Sequence, residues 1–293
     1  MKKLMKLLII IAIIIIGFFI YSSVPEQVHD SNVSGIMMRN QVWGGNILVV
    51  GDIIVLPWVT LTILPGTTVT VTANKDINNL IGWETCDGIK NYDLLIGIKE
   101  EDNYNCGVHF HEPYRDEGHH ITIIVLGTLN AVGTEDKRIV FKSDSQNPTI
   151  YDWNTLLIFN GILSYANLEN YRGLGVPPIG GSVEISHNNL RNIGECGVCA
   201  NGKVRVLFNN ISYAGHELID MWDSAPTIRQ NHLGPNPGHA GIIINGGSPE
   251  IVDNVIEGCA EGIVFNSPPK QPIVGNNTFL NNTRDIFHDY PVE

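Results

Sequence analysis

Short runs of β-branched and other apolar residues recur along this chain at alternate positions, broken every few residues by Gly, Asn, Asp or Pro. Val204 with Val206 and Ile242 with Ile244 show the step of two that puts side chains on one face of a strand. No window carries an i, i+3, i+4, i+7 stripe long enough for a helix. In the C-terminal half the pattern acquires a period. Asn188, Asn209, Asn231, Asn254 and Asn277 follow one another at 21, 22, 23 and 23 residues. Each has an aliphatic residue three positions before it (Ile185, Val206, Ile228, Ile251, Val274) and an apolar residue two positions after it (Leu190, Ile211, Leu233, Ile256, Phe279). A second apolar step follows, at Gly197-Val198, Leu218-Ile219, Gly241-Ile242, Gly262-Ile263 and Asp285-Ile286.

A fixed period in the low twenties predicts a solenoid, in which each turn buries its apolar face only by stacking on neighbours. The leucine-rich repeat is excluded because its Leu-x-x-Leu-x-Leu frame is missing and no helix pattern accompanies the strands. A parallel β-helix remains. The asparagines are expected to stack from coil to coil through their amides, and Asn or Gly at each corner to supply left-handed backbone.

The N-terminal half keeps to strands. Trp43 to Thr72 alternates β-branched runs with Gly-Asp, Leu-Pro and Pro-Gly corners, and Ile121 to Ser143 does the same. These segments resemble the first coils of exported right-handed parallel β-helix repeat proteins of the pectin-lyase-like superfamily. The resemblance lies in Gly51-Asp52 with Pro57, Leu61-Thr62-Ile63 with Pro65-Gly66-Thr67, Gly127 to Thr134, and Ile139-Val140-Phe141, continued by the strand Trp153 to Phe159. It implies an all-β, right-handed parallel β-helix of about nine coils over residues 42–290. That superfamily includes polysaccharide lyases, glycosidases, adhesins, copper-delivery proteins and many surface proteins without assigned activity, so fold alone selects no chemistry. The adjacent aspartates and Gly-His-Gly of the polygalacturonase-like enzymes are absent, since Gly118, Gly215 and Gly238 precede histidines with no second glycine. No arginine or lysine of residues 181–283 stands grouped with acids in one coil, as a lyase requires. The expectation is a carbohydrate-binding or structural protein, with a polysaccharide-processing enzyme or a metal-binding surface protein as alternatives.

Charge and the N-terminus set the compartment. The 293 residues carry 18 Lys+Arg against 30 Asp+Glu, a formal net charge of -12, which repels phosphate backbones and argues against nucleic acid as partner. Lys2, Lys3 and Lys6 precede an unbroken apolar run from Leu7 to Ile20, the length of a signal-peptide core. Ile20 and Tyr21 spoil an Ala-x-Ala-like cleavage site. Residues 1–23 therefore read as an export segment, an N-terminal hydrophobic helix cleaved or kept as a membrane anchor, with the rest of the chain outside the cytoplasm and residues 24–41 as a polar spacer.

Two departures from the repeat are candidates for function. Asn201, Asn245 and Asn266 close the second apolar strand in three coils, but the coil between the first two has Trp222 there. Asp220 stands at an outward position held by Cys199, Ile243 and Val264 in neighbouring coils, and His216, Glu217 and Asp223 lie in the same coil. An outward tryptophan beside carboxylates suits a sugar ring, stacked on the aromatic and bonded through its hydroxyls. An outward ring also implies that removing it costs little stability. The alternative is that Trp222 covers a seam and the acids are solvated.

The second departure is an insertion at residues 74–120 with ten acids and four bases. Cys86 and Cys106 are placed to form a disulfide in an exported protein. His109, His111, His119 and His120, with Glu112, make a candidate zinc or copper site, set against the reading of solvated loop histidines. Cys196 and Cys199 form a Cys-x-x-Cys step expected either as a bond or, with Cys259, as buried thiols. Asn-x-Ser/Thr sequences occur at Asn32, Asn210, Asn276 and Asn281.

Overall fold

The computed structural model describes residues 24–81 and 120–291. Among these residues the regular structure is all strand, joined in one sheet of 25 strands with parallel pairing between successive turns. Each turn carries three faces, here called A, B and C in chain order, separated by corners AB, BC and CA. The inward column of face A runs Val28, Trp43, Ile63, Ala131, Leu163, Ile185, Val206, Ile228, Ile251 and Val274. Face B stacks Ile47, Val69, Phe141, Leu168, Leu190, Ile211, Leu233, Ile256 and Phe279. On face C, Ile219, Ile242, Ile263 and Ile286 continue the column begun by Ile53, Ile123 and Leu156. Ten coils result, about 45 Å of rod at ~4.8 Å per rung.

The sequence dictates this locally through strict alternation. In Lys203–Leu207 the two valines point inward while Lys203 and Arg205 are exposed. Shifting such a strand by one residue would put both charges in the core. The inward columns merge into one continuous core, whose length explains why each coil depends on its neighbours.

The predicted asparagine stack is present and lies inside the AB corner. Asn188, Asn209, Asn231 and Asn254 are almost fully buried. Each Nδ2 donates to the next Oδ1, at 3.0, 3.0, 2.9 and 3.0 Å down to Asn277. The second Nδ2 hydrogen goes back to a carbonyl of the preceding coil: Leu163, Ile185, Val206, Ile228 and Ile251 in turn. At the BC corner Asn170, Asn192, Gly258 and Asn281 take left-handed backbone as expected. At the AB corner, however, the left-handed residue is not the stacked asparagine but the one before it, with φ of 59°, 56°, 56°, 59° and 55° at His187, Phe208, Gln230, Asp253 and Asn276. The reason is that a tight corner needs one positive-φ step, and the asparagine must keep the conformation that aims its amide along the axis. The bulky residues bear the conformational cost, about 1–3 kcal/mol each, which the buried amide bonds offset.

Residues 24–41, expected as a polar spacer, instead form the first coil: the strand β1, Glu26–Met37, pairs in parallel with β2, Gln41–Val55. The stretch escapes an apolar-pattern search because Ser31 and Gly35 stand over Ile47 and Ile53. Polar links substitute for missing core: Trp43 Nε1 donates to Gln41 Oε1 (3.0 Å), Gln41 Nε2 to Glu26 Oε2 (3.0 Å), and Arg39 pairs with Glu26 at 2.7 Å. This coil raises the count from nine to ten. At the other end Tyr290 packs against the last core residues.

The insertion leaves after Thr68–Val71 and returns at Ile123–Val125, across the BC corner of the third coil. Asp52, one coil earlier, holds both limbs: its Oδ1 accepts the Thr122 N–H at 2.8 Å and its Oδ2 the Ile81 N–H at 2.9 Å. Ile81 then packs over the outward residues Ile124, Leu157 and Phe159. The expected helix at residues 1–23, the Cys86–Cys106 disulfide and His109, His111 and His119 lie outside the described residues. No helix among the described residues is long and apolar enough to cross a membrane.

Candidate functional site

Ile219–Trp222 is the face C strand of the seventh coil. Alternation decides its orientation: Ile219 and Met221 are fully buried, so Asp220 and Trp222 point outward. Asp220 is half-buried and flanked in register by Cys199 and Ile243, which confirms an acid set in an otherwise apolar outward column. Trp222 stands opposite Asn245 and is 37 % exposed. The ring is therefore more covered than an outward position implies, so its removal is not free of cost.

Two hydrogen bonds hold the tryptophan. Its backbone N–H donates to Asn201 Oδ1 at 2.9 Å. Its indole Nε1 donates to Asp220 Oδ2 at 3.2 Å, while Asn245 Nδ2 donates to Asp220 Oδ1 at 3.2 Å and Asn266 Nδ2 to Asn245 Oδ1 at 3.0 Å. The asparagines that Trp222 interrupts thus support the acid that fixes its ring. Burial, and after it the Glu217 charge, pushes the Asp220 carboxyl up to about 7, against the opposing bonds from Trp222, Met221 and Asn245. Asp223 follows in the left-handed CA corner (φ 44°) with its N–H bonded to Asn245 O at 2.9 Å. A Cβ on Gly246 would come within 2.6 Å of Asp223 Oδ1, so glycine there makes room for the carboxylate.

His216 and Glu217 occupy the BC corner at the other edge of the same strip. His216 Nδ1 lies 3.9 Å from Glu217 Oε2, and its Nε2 lies 3.8 Å from Glu195 Oε2 in the coil before. Arg172 Nε approaches Glu195 Oε1 at 3.6 Å, and His216 stacks on His239 at 5.9 Å between ring centroids. Glu195 and His239 were not singled out from the sequence. Their signal is positional: like His216, each stands three residues before an inward face C residue, Val198, Ile219 or Ile242. The five sequence candidates therefore fall on one strip, with Asp220 and Trp222 in direct contact, His216 and Glu217 at one edge and Asp223 at the other.

The remaining candidates separate from this strip. His120 is half-buried at the root of the insertion, bonded to backbone at Asp152 and Tyr151; burial pulls its pKa below the ordinary histidine value. Among the described residues no group of three or more His, Cys, Asp or Glu is placed to hold a metal ion. Cys196 and Cys199 are joined as a disulfide, with Cα atoms 5.7 Å apart. Cys259 is a buried thiol, pushed up to about 11 first by that burial.

Against known families, the profile described as a right-handed β-helix region matches residues 178–289, the sixth to tenth coils and the candidate strip with them. No curated protein and no solved structure matches the chain.

Proposed function

We propose that this β-helix protein is exported, kept at the cell surface by its N-terminal apolar segment, and binds polysaccharide or a cell-surface glycan along face C around Trp222. The observation that carries this reading is a partly exposed indole fixed by a hydrogen bond to a half-buried carboxylate, at a coil that departs from its own repeat. A ring already immobilised loses little entropy when a pyranose stacks on it. Asp220 serves first to hold the ring, since its two oxygens meet the indole and Asn245. Glu217 and Asp223 stand to either side as acceptors for sugar hydroxyls.

Glycan-array binding of the parent protein and of Trp222→Ala tests this. The variant should lose binding while remaining folded. Because roughly two-thirds of the ring is covered, its removal should cost up to about 3 kcal/mol of stability, so binding is compared well below the unfolding temperature. Undiminished binding by folded Trp222→Ala refutes the site.

One observation favours a second reading, a polysaccharide-processing enzyme. A carboxyl carrying its proton near neutrality beside a second carboxylate suits general acid work on a glycosidic bond. Release of reducing or unsaturated ends by the parent protein, lost in Asp220→Asn, would select it. Binding without product release excludes it.

A further inference from the structure

The first coils carry large apolar side chains along one edge. Ile36 is 53 % exposed, Met38 59 % and Trp58 60 %, with Val24, just before the first coil, at 65 %. Ile36 pairs with Ile54 and Met37 with Val55, so Met38 falls at the CA corner beside Leu56. Trp58 occupies the same corner one coil on. The charges nearby are engaged with each other, Arg39 with Glu26, so this edge offers apolar contact and not an ionic grip.

The position of the chain decides what covers it. Only residues 21–25 separate the apolar run ending at Ile20 from β1 at Glu26, a link of at most about 20 Å when fully extended. We propose that this edge rests in the interfacial layer of the lipid bilayer into which Leu7–Ile20 inserts, with Trp58 as its anchor. The proposal depends on the reading of residues 1–23 as a retained anchor. Tryptophan favours the interface, where its ring is apolar and its N–H is wet, and methionine and isoleucine beside it gain from leaving water. With a net charge of -12 the protein gains nothing from anionic headgroups, so the contact should form on zwitterionic lipid. It would lean the rod onto its CA edge instead of standing it upright on its tether.

The test uses the full chain reconstituted into phosphatidylcholine vesicles whose acyl chains are brominated near the headgroup. Part of the tryptophan emission should be quenched relative to unbrominated vesicles, and that part should disappear in Trp58→Phe and shrink in Ile36→Ser/Met38→Ser. Flotation of the vesicles reads the tether separately. Protein that floats but shows the same quenching in Trp58→Phe as in the parent, or none in either, overturns the contact while leaving the anchor standing. Protein that does not float removes the anchor and the contact with it.

Discussion

Replacing Asn231 by alanine removes four hydrogen bonds from a site with no access to water. The side-chain Oδ1 accepts the backbone and side-chain N–H of Asn209 at 2.9 and 3.0 Å, and Nδ2 donates to Val206 O at 2.8 Å and Asn254 Oδ1 at 2.9 Å. Asn231 is 2 % exposed, so its abandoned partners stay dry. At roughly 1 kcal/mol net per bond, and more where a buried group is orphaned, the loss should be about 4 kcal/mol. Asn277 provides the internal control. It makes three such bonds, to Asn254 N, Asn254 Nδ2 and Ile251 O, but it is only half-buried in the last coil, where water replaces part of what is lost. Asn277→Ala should cost about 1–2 kcal/mol. Urea unfolding followed by far-UV circular dichroism measures both through the midpoint and slope. A stack of repeats need not unfold in one step, so a change in slope is informative alongside the midpoint. If Asn231→Ala costs no more than Asn277→Ala, the column does not hold the corners and the account of the left-handed residues fails with it.

Asp220→Asn addresses pH. The folded-state carboxyl sits near 7, well above its ordinary value of 3.8, so its contribution to stability is fully present at low pH and is lost as pH rises from about 4 through 7. The parent should fall in stability relative to Asp220→Asn across that window, and parallel melting-temperature profiles would contradict the assignment. Asp52 is raised in the same direction, chiefly by burial, but its role differs because it bonds both limbs of the insertion. Asp52→Asn presents one amide NH2 to a backbone N–H, leaving that donor unpaired at about 1–3 kcal/mol. Amide exchange should accelerate selectively at whichever of Ile81 and Thr122 faces the new NH2, and unchanged protection at both would show that the carboxylate holds neither.

The part of the fold that repeats was legible because its period, its inward aliphatics and its buried amides all recur in the same frame. The first coil was not, because Ser31 and Gly35 occupy inward positions and only Val28, Val33 and Met37 keep the pattern. The left-handed corner residues follow the expectation at BC, where Asn170, Asn192 and Asn281 take them, but not at AB: asparagine tolerates positive φ, yet there its amide is committed to the axis, and His187 or Phe208 takes the strained step. Trp222 and Asp220 stood out as exceptions to a repeat. Glu195 did not, since its partner His216 lies one coil away and only its place three residues before Val198 marks it.

The spacing of inward residues around each turn shows where this rod accepts change. From the fifth coil to the tenth, face A and face B positions are always five apart: Leu163 to Leu168, Ile185 to Leu190, Val206 to Ile211, Ile228 to Leu233, Ile251 to Ile256, Val274 to Phe279. The steps across the other two corners vary from coil to coil, and the insertion itself emerges at one of them. Within these six coils length variation is thus confined to two edges and the asparagine edge is a fixed seam; in the coils before them, which lack the asparagine column, the AB step changes too, as from Ile63 to Val69 and from Ala131 to Phe141. Loops grafted at BC or CA should be absorbed without disturbing neighbouring coils, whereas one residue added at AB breaks the amide column at that coil and divides the rod there into two.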